Sequence, residues 1–562
     1  MPVGEHPGPA MTETFDFIIV GAGSAGCVLA ARLSEDPGNR VLLLEYGGSD
    51  RSVFIQMPSA LNIPMNSRRF NWGYHSEPEP HLDNRVMNVP RGKVLGGSSS
   101  INGLVYVRGN ALDFETWAAE GAPGWAYRDV LPYFRKAEAF AGGADDYRGG
   151  DGPLATRHGT SNNPLYAAFV AAAVEAGYAE TTDVNGYRQE GFGKLDMTVA
   201  NGRRASAANA YLRPAMNRAN LTVRARARVE AITFEGRRAT GVRYRRYGAT
   251  RVALAAREVI VAAGAIASPS LLKLSGIGPL PELRAHGIDV VHHLAGVGEN
   301  LQDHLEFYFQ VASKKPITLY SSTGLIARGM IGARWLLRGD GLGATNHFET
   351  GGFIRSRAGI RYPDIQYHFV PLAMAYDGSK LATEHGFQAH VGPMRSKSRG
   401  FVRLRSRDPR EAPRIVFNYM SHRDDWEEMR ACVRLTREIM AASAFDPYRG
   451  REIQPGAEAT DDAVIDAFIR AKAESAYHPS GTCKMGSAAD AGAVVDGELR
   501  VIGVEALRVV DASVMPSITN GNLNAPTIMI AEKAADHILG RPLLPPSDAP
   551  FYLARNWQTA QR

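Results

Sequence analysis

Cysteine is scarce in this 562-residue chain: Cys27, Cys432 and Cys483 are far apart and odd in number. That excludes a disulfide framework and a cysteine-based zinc site, and a reducing cytosol fits best. Long apolar runs are missing as well. No stretch of about 18 apolar residues exists to span a bilayer, so any membrane contact is expected to be peripheral. The first residues, MPVGEHPGPAMTETF, lack a basic start followed by an apolar stretch, so residues 1–12 are expected to be a flexible lead and no export signal. Met11 is an alternative start. Charge of one sign is not concentrated either: the net +6 is spread along the chain. Its densest cluster, Arg203 to Gly248, interleaves arginines with apolar residues at period two. This reads as strands with solvated faces and argues against a nucleic-acid partner.

Glycine, by contrast, is abundant and well placed. In FDFIIVGAGSAGCVLAARLSED an apolar run from Phe15 to Val20 leads into Gly21, Gly23 and Gly26, followed by a helical apolar pattern. This is the strand, turn and helix of a Rossmann-like dinucleotide site: the helix presents free N–H groups to a pyrophosphate, beginning around Ser24 and Ala25. A second buried strand, RVLLLEYG, ends in Glu45, placed to accept hydrogen bonds from an unphosphorylated ribose. Three further segments offer close approach to the same ligand. RGKVLGGSSSINGLVYVRG supplies Gly96, Gly97 and the serines from Ser98. EVIVAAGAIASPSLLKLSGIG runs into small residues at Ala262 to Ala265. LRVVDASVMPSITNGNLNAPTIMIAEKAADHI has a strand ending at Asp511, then a loop and a helix. A single dinucleotide needs one glycine loop; two suit a cofactor threaded deep through the protein, FAD more than NAD.

One histidine is set apart. In SAYHPSGTCKMG, His478 is followed by a proline that restricts the backbone and by small residues that leave room for a flat ring. A neutral imidazole suits removal of an alcohol proton while hydride moves from the carbon.

These motifs, with GVGENLQDH, occur in the order seen in the glucose-methanol-choline family of flavoenzymes, which the chain resembles from Phe15 to about Gly540. The stretches ATNHFETGGFIRSR, PDIQYHFVP, HVGPMRSKSRGFVRLRSRDP and FNYMSHRDDWEEMR are similar to those of the family's choline-oxidising branch. The resemblance implies an α/β chain, α+β overall, with an FAD domain of discontinuous segments (13–165, 207–312 and 476–541). A substrate domain with an antiparallel sheet flanked by helices takes 166–206 and 313–475, and a surface-lying tail takes 542–562. It implies His478 as base and Asn524 as the second active-site residue. Carried onto the motifs, the cofactor contacts add Arg91, Val94, Asn102, Val229, Ala263, Gly264, Ala512 and Asn522 to those named above. Family members that tether flavin covalently carry a histidine where this chain has Ile101, so the FAD is expected to be non-covalent.

Choline has a quaternary ammonium that cannot donate a hydrogen bond, so its site calls for aromatic faces and a carboxylate. Trp72, Phe348, Glu349 and Tyr477 are candidates, and His368 faces the substrate if its strand turns that way. Relatives in the family oxidise aliphatic, aromatic or polyether alcohols with the same flavin motifs, as dehydrogenases or oxidases, and those readings stay open. So does an FAD-binding member without redox work. The acceptor implied is a respiratory quinone, with dyes as substitutes in vitro. A cytoplasmic location, at most against the inner face of the membrane, and no metal are expected.

Overall fold

The computed structural model describes residues 13–374 and 383–562; the expectation for residues 1–12 falls outside them. Two seven-stranded sheets organise the molecule. The first begins with β1 (Glu13–Val20), which leads into α1 (Ser24–Leu33) and back to β2 (Val41–Leu44). β1 pairs in parallel with β2 on one side and with Ala249–Val261 on the other. Phe17 to Val20 and all of β2 are buried, as expected of parallel strands covered on both faces, where an unbroken apolar run replaces alternation. Leu221–Arg224 and Leu507–Val509 extend the parallel part, while Arg238–Arg246 and Ala227–Glu235 add an antiparallel edge. Burial alternates over part of Arg238–Arg246, as the period-two arginine pattern suggests, whereas Ala227–Glu235 shows no such alternation.

The turn from β1 into α1 works because a side chain has no space there. A Cβ on Gly26 would lie 1.8 Å from the carbonyl oxygen of Gly21, so only glycine lets the helix pack this closely on the strand.

The second sheet is antiparallel throughout its path. Its order is Arg449–Gln454, Leu305–Ser313, Gly386–Pro393, Ile365–Val370, Thr350–Ile354, Gly191–Lys194. All but the last residue of Leu305–Ser313 falls inside the 207–312 segment expected of the cofactor domain, and its ladder with Gly386–Pro393 puts it in this sheet. The sheet is crossed by the amphipathic helix α2 (Leu325–Arg338) in sequence and backed by Pro164–Glu175 and Arg423–Ala441 in space. The final helix, α3 (Asn524–Leu539), returns to the first sheet and packs on α1, where buried Arg32 is paired with Glu532 and, at 2.7 Å, with Asp536. Residues 541–562 form no helix or strand; Trp557, Ala560 and Arg562 are held by bonds to Gly359, Arg355 and Glu438. The three cysteines are free and buried.

Candidate active site

A cavity of about 320 Å³ runs between the sheets. At one end lie Gly21, Gly23, Ser24, Ala25 and Glu45; at the other lie His478 and Asn522. Arg91, Gly97, Ser98, Asn102, Val229, Ala263, Gly264, Asp511 and Ala512 line it as well.

The first end is made mainly of backbone. α1 has no side-chain cap at Gly23, so its leading N–H groups are left for a ligand. Glu45 accepts from the N–H of Ala22 at 3.0 Å and of Gly47 at 2.6 Å, and burial pushes its carboxyl up to about 7. It therefore fixes the turn and keeps spare lone pairs toward the cavity. Gly97 passes so close that a Cβ on it would be 2.6 Å from the Cα of Gly23. Asp511 ties the other two segments together, accepting from Gly264 N–H at 2.8 Å and from the Ser268 hydroxyl at 2.6 Å. This donor set, open at a helix N-terminus and continuous with a long slot, fits a dinucleotide. Three expected contacts lie outside the lining: Gly26 packs α1 on β1, Gly96 turns the loop, and Val94 is buried with Ile55, Phe70 and Ile101. Ile101 itself lines the cavity and offers no nucleophile.

The second end is made of side chains held by a narrow ribbon. Residues 302–304 and 476–480 pair through Gln302 with Ser480 and through the Ala476 N–H to the His304 carbonyl. Asp303 completes the clamp. Its carboxylate accepts the backbone N–H of His478 at 2.6 Å and the hydroxyls of Tyr419 and Ser475 at 2.5 Å. Arg91, lowered to about 10 by burial, donates to the carbonyl of Tyr477, whose φ of 66° lies in the left-handed region.

The ribbon sets two imidazoles side by side, with His304 Nδ1 3.0 Å from His478 Nδ1. His304 Nε2 lies 3.1 Å from the carbonyl oxygen of Met394. A carbonyl only accepts, so His304 carries its proton on Nε2. Burial holds His304 down to about 3, so it stays neutral and its Nδ1 accepts. His478 must then donate from Nδ1, which leaves the lone pair of its Nε2 facing the cavity. Burial first, then the fields of His304, His368 and Arg91, hold His478 well below the ordinary imidazole value.

The amide that meets this nitrogen is that of Asn522, with Nδ2 3.1 Å from Nε2 and Oδ1 3.2 Å from His368 Nε2. This corrects the expectation for Asn524. Asn524 is the first residue of α3, and its Oδ1 follows the helix surface to accept from the Ser24 hydroxyl at 2.9 Å. It lines the cavity at the cofactor end.

Glu349 is also corrected. It is buried and absent from the cavity wall; its carboxylate accepts from Thr345, Thr160 and the N–H of Ser161, joining two loops. The carboxylate that lines the cavity beside Phe348 and His390 is Glu306, missed in the sequence. Gln388 uses its carbonyl oxygen on Gln310 and Met374, so its amide donates to His390 Nε2 at 2.7 Å. His390 Nδ1 then donates to Glu306 at 3.0 Å. Phe348 sits 5.3 Å from His390, and His368 and Tyr477 line the same region. Trp72 is stacked on Tyr74 at 5.5 Å, and both line the wall. Two polar residues, His304 and Glu306, at period two in the otherwise apolar HLEFYF are the signal that sequence reading passed over.

Comparison with known proteins adds the following. Family models described as GMC oxidoreductase match residues 15–306 and 396–531. An oxygen-dependent choline dehydrogenase of Photobacterium profundum is 56% identical over 98% of this chain and 98% of its own. One of Brucella ovis is 57% identical over 97% of this chain and all of its own. Among solved structures, a pyridoxine 4-oxidase from Mesorbium loti is 30% identical with a TM-score of 0.85, covering 94% of this chain and 100% of its own. An FAD-dependent oxidoreductase from Chaetomium thermophilum is 28% identical with a TM-score of 0.84, covering 94% and 99%.

The imidazole pair has a signature in stability. Because His304 and His478 titrate below the ordinary value of 6.5, the unfolded chain takes up protons near and below that pH that the folded chain refuses. Their contribution is complete above pH 6.5 and is lost as pH falls. Replacing His304 by glutamine removes one such group. The stability difference between wild type and His304→Gln, measured by urea unfolding, is expected to shrink steadily as pH is lowered from about 7.5 to about 5.

Proposed function

The chain belongs to the GMC oxidoreductase family, and on that premise we propose that it is an FAD-dependent dehydrogenase of choline, yielding betaine aldehyde. The observation that carries this is the one-directional hydrogen-bond chain Met394–His304–His478, which leaves a basic Nε2 beside the Asn522 amide. FAD, when bound, accepts the hydride from the alcohol carbon. His478 takes the hydroxyl proton on Nε2, and burial keeps that nitrogen unprotonated in the working pH range. An alcohol oxygen entering between the two would accept from the Asn522 N–H, which then stabilises the charge that develops as the proton leaves. The Gln366 amide, 3.0 Å from His368 Nε2, donates to the Asn522 oxygen at 3.4 Å and holds the Asn522 amide in the required orientation.

For the substrate's other end we assign Glu306. It is the carboxylate on the cavity wall in the region of Phe348, His390 and Tyr477, and a carboxylate with aromatic faces complements a trimethylammonium group. Relatives 56% and 57% identical over nearly the full chain are choline dehydrogenases, which supports this substrate over aliphatic, aromatic or polyether alcohols. The cofactor is held without a covalent bond, because Ile101 occupies the expected tether position. For the second half-reaction we keep a respiratory quinone as acceptor, with dyes replacing it in vitro. The relatives' names say oxygen-dependent, and parallel measurements of oxygen uptake and quinone reduction decide between the two. Three free buried cysteines support a reducing compartment.

Anaerobic addition of choline to the holoenzyme is expected to bleach the flavin absorbance, whereas 1-hexanol and benzyl alcohol leave it; bleaching by these and not by choline would overturn the substrate. His478→Ala should keep its flavin and lose about 10²- to 10⁴-fold in kcat/KM for choline. Glu306→Gln should raise KM for choline at least about tenfold, the order of a charge-assisted contact. With 3,3-dimethyl-1-butanol, which has choline's shape without its charge, the same variant should change little, and equal effects on both would remove Glu306 from the cation site. Acid precipitation should give a colourless pellet and a yellow supernatant.

A further inference from the structure

A second cleft, of about 520 Å³, is lined by four arginines, Arg51, Arg203, Arg204 and Arg213, together with the amides of Gln56 and Asn209. Among the described residues its wall contains no acidic side chain; the rest of it is alanine and one proline. The guanidiniums are held by partners that leave most of their charge in place. Arg204, buried, donates from Nε to the Ile55 carbonyl at 2.9 Å, and from a terminal nitrogen to the Asn102 carbonyl at 2.8 Å and the Asn102 side-chain oxygen at 2.7 Å. Arg203 lies over the ring of Trp335, 5.5 Å from its centre. Arg213 pairs with Asp50 at 2.6 Å and is braced by Asn209 Oδ1 at 2.6 Å, so Asp50 offsets one of the four charges. Asn209 and Ala210 belong to Ala208–Leu212, a turn of π-helix, a conformation kept mostly where it serves a site.

We propose that this cleft binds a small phosphate-bearing anion and that Arg204 couples its occupancy to the cofactor loop. Like charges gathered in one concave wall repel each other, and an anion seated between them relieves that cost. The planar fork of a guanidinium matches two phosphate oxygens at once. A phosphate group offers three such oxygens to several arginines, where a carboxylate offers two. Guanidiniums already fixed by the Trp335 ring, by backbone carbonyls and by Asn209 lose little freedom when the anion arrives. The alanine-rich floor leaves room for a small organic group beyond the phosphate. Arg204 belongs to both sites. Its bonds end on Asn102 and, at 3.2 Å, on the Ser99 carbonyl, and both residues line the catalytic cavity. The N–H of Ala207 adds a second tie, donating to the Ser99 hydroxyl at 2.9 Å. The turn that carries Ser99, Gly97–Ser100, is the one that passes against Gly23 at the cofactor end. An anion that anchors Arg204 therefore stiffens this loop, and by linkage phosphate and FAD strengthen each other's binding.

The test is calorimetric titration of the FAD-loaded, full-length protein with inorganic phosphate, in phosphate-free buffer held at constant ionic strength with chloride. Saturable binding is expected, and flavin release on dilution, followed by fluorescence, should slow as the site fills. The Arg51→Gln/Arg203→Gln variant should bind phosphate at least about tenfold more weakly, the order of one charge-assisted contact. It should also lose the effect on flavin release and keep wild-type dye-linked turnover without phosphate, because neither residue lines the catalytic cavity. Should the double variant fold poorly, Arg51→Gln, at an exposed position, serves the same comparison. Absence of phosphate binding by the wild type, or unchanged binding by these variants, overturns the site. Phosphate bound with flavin release unchanged overturns the coupling through Arg204.

Discussion

Two imidazoles joined through their Nδ1 atoms are the constraint on which the site rests. Direction enters this contact from outside it, since the Met394 carbonyl can only accept. One backbone oxygen thereby dictates the tautomer of His304 and, through it, the face on which His478 is basic. Asp303 contributes differently from the carboxylate of an Asp–His pair. It binds the backbone N–H of His478 and two hydroxyls, so it fixes position without placing its charge on the ring's donor nitrogen. A carboxylate paired to the ring would favour imidazolium and raise the pKa; here burial dominates and lowers it. Orientation and basicity are thus controlled by separate groups.

The cavity divides its tasks between the two sheets. The parallel sheet offers loops and a helix end made of small residues, where recognition comes from the main chain. The antiparallel sheet contributes long side chains from alternate positions: His304 and Glu306 near the start of one strand, His368 from the next but one, His390 from the strand between. Gln388 and His390 alternate with buried apolar residues on that strand and deliver a donor to Glu306. The polar residues inside the apolar sheet fall into two hydrogen-bonded chains, one through His304, His478 and Asn522 and one through Gln388, His390 and Glu306, and such pairing is the condition under which burying them is tolerable.

Much of this could be read from the chain itself. The turn at Gly21 to Gly26, the strand ending at Glu45 and His478 before its proline are local patterns, in which neighbouring residues carry the meaning. Asn522 and Asn524 differ by two positions, and the choice between them depends on where α3 begins, a boundary that local sequence defines poorly. Glu349 sits among aromatics and glycines in sequence, yet its partners Thr160 and Ser161 come from a segment far away in the chain. Glu306 has the opposite history: its one local mark is its period-two spacing from His304, and the cavity around it is built by strands as distant as Gly386–Pro393. His304 gains its importance from Met394, equally remote. Chemistry set by long-range contacts was the part that local reading could not reach.

The ribbon joining residues 302–304 to 476–480 has a consequence for the order of events during synthesis. The stretch that carries His304 leaves the ribosome well before the one that carries His478, and Asn522 follows later still. Until those last segments emerge, the growing polypeptide can assemble the glycine turn at its start while owning no group able to deprotonate an alcohol. A product cut short before His478 would lack the base and, with it, Asp511 and helix α3, which complete the cofactor end of the cavity.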